Sequence, residues 1–340
     1  MKVYNAELFD LEGGGVLPGG EIEYTTYGTL SPKKDNVIWV CHALTADSRV
    51  ADWWPHTVEE GRFLDPSKWF VVCANFLGSP YGTSSPVTTH PNEYQDEEEH
   101  LWGHEFPMIT VRDMVRYHQM LAKELGIDHV ELLIGSSIGG FQVMEWAIME
   151  PGFAKRIALI ATTTRSSAWA IAFNESQRMA IAADPTFHTD APDAGAAGMA
   201  VARSIALLSY RGAEAYNATQ TDSDQQKLKG YRATTYQQHQ GEKLRRRFDA
   251  HCYWRLTEAV DSHNIARGRE SAEWALRQIK AKALVVAITS DILFPPADHE
   301  IMVANIPDVR YRLIDSPFGH DGFLVEYEQL DAIIKEFMAE

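Results

Sequence analysis

The segment Gly135-Ser136-Ser137-Ile138-Gly139 fits the pattern G-x-S-x-G. An apolar run, Val130 to Ile134, precedes it, and a helical pattern follows from about Gly140. A serine on a sharp strand-to-helix turn is exposed at the helix amino terminus, where free N–H groups and positive potential meet the hydroxyl. The flanking residues must be small so that strand and helix can approach. Serine alone is a weak nucleophile and needs a base that is itself oriented by an acid. In a strand–turn–helix setting the chain order is serine, then acid, then histidine, each after a later strand. Asp291 follows the apolar run Ala283 to Ile288, and His320 follows Tyr311 to Ile314. Ser137, Asp291 and His320 are therefore the expected catalytic residues. Asp298, Asp315 and Asp321 compete for the acid and His299 for the base; Asp298 and His299 read as solvated positions on a helix.

Such chemistry also needs two N–H donors aimed at the developing oxyanion. One is expected from the Ile138 amide. The other is expected from Leu44 in Cys41-His42-Ala43-Leu44-Thr45, the loop after the third strand, with His42 as a structural residue at its start.

These residues need a scaffold. The first thirty residues, with turn glycines before Glu21 to Gly28, predict an antiparallel hairpin at a sheet edge. The runs Val37–Cys41 and Trp69–Cys73 are continuously apolar, as in strands covered on both faces. A helical stripe spans Val111 to Leu125, and strand-like runs recur at Arg156–Ala161, Ala283–Ile288 and Tyr311–Ile314 before a terminal helix from about Tyr327. The β-α-β rhythm is interrupted between about Arg165 and Arg269 by helix-forming sequence. The fold class expected is α/β, an α/β-hydrolase fold: a mostly parallel twisted sheet flanked by helices. Residues 1–164 and 270–340 form its core, and a helical lid, 165–269, is inserted between strands six and seven.

The chain has 340 residues and a formal charge of −16, which disfavours nucleic acid and anionic membranes as partners. Neither a secretory leader nor an apolar run of spanning length is visible, so a cytoplasmic location is expected. Three dispersed cysteines, Cys41, Cys73 and Cys252, suggest neither a disulfide framework nor a zinc site. The acidic stretch Asp96 to Glu99 with His100 and His104 reads as a charged loop, so no metal is expected. Arg245 to Arg247 read as the outer face of a lid helix and Trp53-Trp54 as core.

Several strings together resemble the homoserine O-acetyltransferase family of α/β-hydrolases over almost the whole chain. They are His42-Ala43-Leu44-Thr45, Asp52-Trp53-Trp54, Asn75-Phe76-Leu77-Gly78, Phe106 to Val115, Ser137-Ile138-Gly139-Gly140, Asn174 to Arg178, Arg247-Phe248-Asp249-Ala250 and Gly319 to Leu324. The resemblance implies an acetyl-Ser137 intermediate, with acetyl-CoA as co-substrate and no bound cofactor. It further implies Arg178 near the acceptor carboxylate, Asp321 near its ammonium group, and a homodimer. Ser136 and Ile138 depart from the family's Gly-Gly-Ser-Met-Gly-Gly elbow, Ser85-Pro86 stands where Gly-Pro is usual, and the Gly-x-Tyr expected after Asp184-Pro185 is missing. These departures place hydrolysis of short-chain acetyl esters first, as in the family's acetyl-esterase branch. The alternative is transfer of acetyl from acetyl-CoA to L-homoserine.

Overall fold

The continuous apolar runs become the centre of one sheet because burial on both faces leaves no place for a polar side chain. The computed structural model describes residues 1–90, 100–189 and 191–340. In chain order the elements are β1 Lys2–Asp10, β2 Val16–Tyr27, β3 Val37–Cys41, α1 Val50–Trp53, β4 Phe70–Ala74, α2 Val111–Glu124, β5 Val130–Ser136, α3 Ile138–Met149 and β6 Ala154–Ile160. Helices α4 Ala168–Ala182, α5 Ala196–Tyr210, α6 Ala213–Gln220, α7 Arg232–Arg245, α8 Ala250–Asp261 and α9 Ala272–Arg277 follow. The chain then returns through β7 Lys282–Ile288, α10 Glu300–Asn305, β8 Val309–Ile314, α11 Gly322–Val325 and α12 Tyr327–Ala339.

The eight-stranded sheet runs β1-β2-β4-β3-β5-β6-β7-β8. Strands β4, β3, β5, β6, β7 and β8 are parallel, and the β1–β2 hairpin joins them antiparallel at one edge. Helices α4 to α9 lie in sequence between β6 and β7. One apolar cluster packs α2 and α3 on one face of the sheet, and the other packs α12 and the Trp54–Phe63 region on the opposite face. Among the described residues no helix is long and apolar enough to cross a membrane, and no group of three metal-ligating side chains is gathered.

Helix α2 starts where its sequence says it should. Thr110 accepts from the Asp113 amide while the Asp113 carboxylate accepts from the Thr110 amide, a reciprocal cap. The same Asp113 accepts from the Glu12 amide, and the Glu12 carboxylate takes Arg112 and Arg267 at 2.8 Å each. The edge hairpin is thereby tied both to α2 and to the chain leaving α8.

Two neutral histidines are built into the core. His118 sits fully buried between Trp39 and Trp146. His263 stacks on Phe141 at 3.9 Å with its Nε2 3.1 Å from the Thr163 carbonyl. Burial pushes both down to about 3. The unfolded chain takes up a proton at each near pH 6.5, whereas the folded chain does not until far lower, so stability falls as pH drops below about 6.5. Each such residue contributes a loss of about 1.4 kcal/mol per pH unit. His118→Leu is expected to reduce the stability difference between pH 7.5 and 5.5 by about 1.4 kcal/mol, read from denaturant midpoints; an unchanged difference would show His118 protonated alike in both states.

Candidate active site

Strand β5 ends at Ser136 and α3 begins at Ile138, leaving Ser137 as the whole turn. Its backbone sits at φ 57° and ψ −126°, a region that costs a non-glycine residue roughly 1–3 kcal/mol. Neighbours hold it there. The Ser137 amide donates to Ile160 O at 3.0 Å, and its carbonyl accepts from Thr162 Oγ1 at 3.0 Å and the Phe141 amide at 3.2 Å. The glycines permit the approach: a Cβ on Gly139 would stand 2.1 Å from the Cys41 carbonyl oxygen, and one on Gly135 2.4 Å from Gly139 backbone. The amino end of α3 is thus pressed against the end of β3, beside the Ala43–Thr45 turn. Ile138 opens α3, so its N–H has no partner within the helix.

Asp291 follows β7 and is buried to 3 % exposure. Its Oδ1 accepts from the Leu293 and Phe294 amides at 2.8 and 3.0 Å, which fixes the carboxylate. Its Oδ2 lies 2.7 Å from His320 Nδ1. Because the carboxylate can only accept, Nδ1 donates and Nε2 is left free to take a proton. The ring of His320 is boxed by Phe294, Phe323 and Tyr210. Burial works to lower the His320 pKa, but the charge and hydrogen bond of Asp291, with the charge of Asp321, outweigh it and raise it above 6.5.

The His320 loop abuts the insertion with nothing between. Gly319, at φ 67°, faces Gly212 backbone to backbone: a Cβ on Gly319 would lie 2.5 Å from the Gly212 nitrogen, and one on Gly212 2.0 Å from the Pro317 oxygen.

Ser137, Leu44, His320 and Asp321 line one cavity of ≈ 570 Å³. Arg178 does not. Its guanidinium lies in α4, 2.6 Å from Asp261 and 2.8 Å from Glu175, neutralised and only 7 % exposed. The placement of Arg178 at the acceptor carboxylate is therefore corrected: it joins α4 to α8. Three arginines reach the cavity wall: Arg49 is paired with Asp47 and Asp52, and Arg247 is engaged by Thr45 and Tyr81, which leaves Arg203 of α5, 5.5 Å over the Tyr210 ring and without a carboxylate partner among the described residues. Its sequence signal was a lone arginine in the apolar Ala196–Tyr210 helix, seven residues before a tyrosine on the same face. Asp321 contacts Arg211 at 3.0 Å. Burial raises its pKa, opposed by Arg211, Arg203 and His320.

Three further readings change. His299 is not solvated: it is fully buried, accepting from the Thr162 amide at 3.3 Å, with Nδ1 3.2 Å from the Pro295 carbonyl. Arg247 is not simply an outer-face residue, since its guanidinium reaches the Thr45 carbonyl at 2.6 Å and the Tyr81 hydroxyl. Of the tryptophan pair, Trp53 lines the cavity, whereas Trp54 is core and donates to the Phe323 carbonyl at 2.9 Å. The acidic stretch Asp96 to Glu99 lies outside the described residues.

A family model for the alpha/beta hydrolase fold matches residues 36–327. A homoserine O-acetyltransferase from Cyclobacterium marinum is 40 % identical over 337 residues, covering 99 % of this chain and 94 % of that protein. Among solved structures, esterase E22 superposes with a TM-score of 0.88 at 20 % identity, covering 99 % of both chains. Homoserine O-acetyltransferase from Bacillus anthracis does so with 0.88 at 21 % identity, covering 100 % of this chain and 98 % of its own. Backbone likeness is thus equal for the two activities, and the closeness in sequence lies with a transferase.

Acylation by a neutral ester such as p-nitrophenyl acetate is expected to rise with pH through an apparent pKa above 6.5, because His320 must be neutral to accept the proton. Asp321→Asn is expected to shift that midpoint downward, since one of the charges that raise it is gone. A midpoint unmoved in the variant, measured as kcat/KM from pH 5 to 9, would remove Asp321 from the electrostatics of the base.

Proposed function

As the chain belongs to the homoserine O-acetyltransferase family of α/β-hydrolases, we propose that it carries an acetyl group on Ser137 from acetyl-CoA to the side-chain hydroxyl of L-homoserine. The observation that carries this reading is a pair of opposite charges in the wall of the Ser137 cavity, Arg203 and Asp321. An acceptor that is an amino acid presents a carboxylate and an ammonium group. A guanidinium fork suits the first and a carboxylate the second. A simple acetate ester has use for neither.

His320 Nε2 takes the Ser137 hydroxyl proton as Oγ attacks the acetyl carbonyl. The oxyanion is met by the Leu44 and Ile138 amides, and collapse expels the thiol with the proton that His320 returns. In the second half His320 takes the proton of the homoserine hydroxyl, whose oxygen attacks the acetyl-serine, and Ser137 leaves protonated. Transfer prevails over hydrolysis when the acceptor oxygen is held at the acyl carbon and water is kept out. Arg203 and Asp321 supply that hold, while Tyr210, Phe294 and Phe323 close around the base. The family likeness and this charged pair support transfer over the hydrolysis that the altered elbow put first.

The test is product partitioning with acetyl-CoA, with and without L-homoserine. O-acetylhomoserine is expected to dominate when homoserine is present; free acetate that homoserine does not divert would overturn the reading in favour of an esterase. Arg203→Ala is expected to cost about 2–3 kcal/mol of acceptor binding, roughly a hundredfold in kcat/KM for homoserine, and to leave p-nitrophenyl acetate hydrolysis within a few-fold. Equal losses on both substrates would assign Arg203 a structural role.

A further inference from the structure

The donor amides of a serine acyl-transfer site are useful only if they point at the reacting carbonyl, and one of them belongs to a turn rather than to a helix. Ala43 to Ala46 form that turn: the Ala46 amide donates to the Ala43 carbonyl at 3.0 Å. Neither Leu44 nor Thr45 has a positive φ, so the turn is of type I with Leu44 at its second position. The same Ala43 carbonyl has a second contact, His42 Nδ1 at 2.9 Å. A carbonyl oxygen only accepts, so Nδ1 carries the hydrogen and donates. In a trans peptide the C=O and the following N–H point in opposite directions. Whatever clamps the Ala43 carbonyl therefore also aims the Leu44 N–H, here away from His42, and Leu44 lines the same cavity as Ser137.

We propose that His42 is a positioning residue for the oxyanion hole, its Nδ1–H holding the Ala43–Leu44 peptide in the orientation that presents the Leu44 N–H to the reacting carbonyl. The ring is placed for this. It is fully buried, stacks on Phe76 at 4.2 Å between centroids with planes 23° apart, and finds no partner for Nε2 among the described residues. A side chain so enclosed cannot rotate to another acceptor, and its remaining nitrogen competes for nothing on the turn. Burial pushes its pKa down to about 4, so the ring stays neutral over the working range. The inference rests on Leu44 being an oxyanion donor and on acyl transfer at Ser137, not on which acceptor takes the acetyl group.

Two variants separate geometry from folding. His42→Phe keeps a ring against Phe76 and loses the donor, whereas His42→Asn places an amide N–H close to where Nδ1 stood. With p-nitrophenyl acetate, rates are normalised to active sites counted from the acylation burst. His42→Phe is expected to lose ~10- to 100-fold in kcat with KM nearly unchanged, somewhat less than removal of a whole donor. His42→Asn is expected to recover most of that loss. A trifluoromethyl ketone, whose adduct carries the oxyanion, is expected to bind more weakly to His42→Phe by the same factor as kcat/KM falls. A per-site rate and ketone affinity equal to the unaltered protein in His42→Phe would overturn the proposal, even if its melting temperature drops. Leu44→Pro distinguishes the layers beneath, since proline suits the second position of a type I turn and has no N–H. Full activity in Leu44→Pro would mean that the Leu44 reading itself fails. A large loss there beside an unaffected His42→Phe would sink only the role of His42.

Discussion

The active site depends on one close approach, the first turn of α3 against the last residue of β3. Gly139 can lie over the Cys41 carbonyl only because it has no Cβ. That contact puts Ser137 and the turn that follows β3 side by side, although ninety residues separate them in sequence. Everything else in the site is arranged on that pair. The positive φ of Ser137 is tolerated because three backbone or hydroxyl groups pin the turn from both sides. His299, tucked beneath, satisfies the amide of the very threonine that supports the serine carbonyl. The elbow is strained locally and relaxed nowhere nearby, which is the condition under which strain persists.

Charge is handled by the same economy of placement. The Asp291 carboxylate spends one oxygen on two backbone amides and the other on His320, so the imidazole is held in a single tautomer. Asp321, one residue further, has lost its water but faces Arg203 and Arg211. Neighbouring residues in one short turn thus stand in two separate electrostatic settings, His320 on Asp291 and Asp321 on Arg211. The consequence is a cavity whose wall is polar at chosen points and aromatic between them.

Much of this was legible in the sequence, and the reason is period and order. The inner β strands are short continuous apolar runs, and Ser137, Asp291 and His320 each fall just past the end of a parallel strand, so residues that the structure gathers at one site could be picked out by position. Helix α2 announced both its ends. The insertion was harder to read. Six helices without strands fix no register for one another from sequence, so the choice between Arg178 and Arg203 could not be made by pattern. Tertiary packing sets the two apart, giving Arg178 two carboxylates and Arg203 none within ion-pair distance among the described residues. His299 failed for a related cause: among Asp298 and Glu300 it looks like surface, yet its ring is buried by the backbone groups it completes. Arg247 sits in a run of three arginines, and nothing in that run tells which one turns back onto the Thr45 turn.

The seam between Gly212 and Gly319 has one more implication. There the insertion meets the histidine loop main chain to main chain, beside the Arg211–Asp321 pair. At the cavity wall the insertion is also joined to the core by Arg247, a long and exposed side chain reaching Thr45 and Tyr81. The insertion thus borders the cavity through two contacts of unlike character, one a backbone seam with no room for a Cβ and the other a side chain bonded to Thr45 and Tyr81.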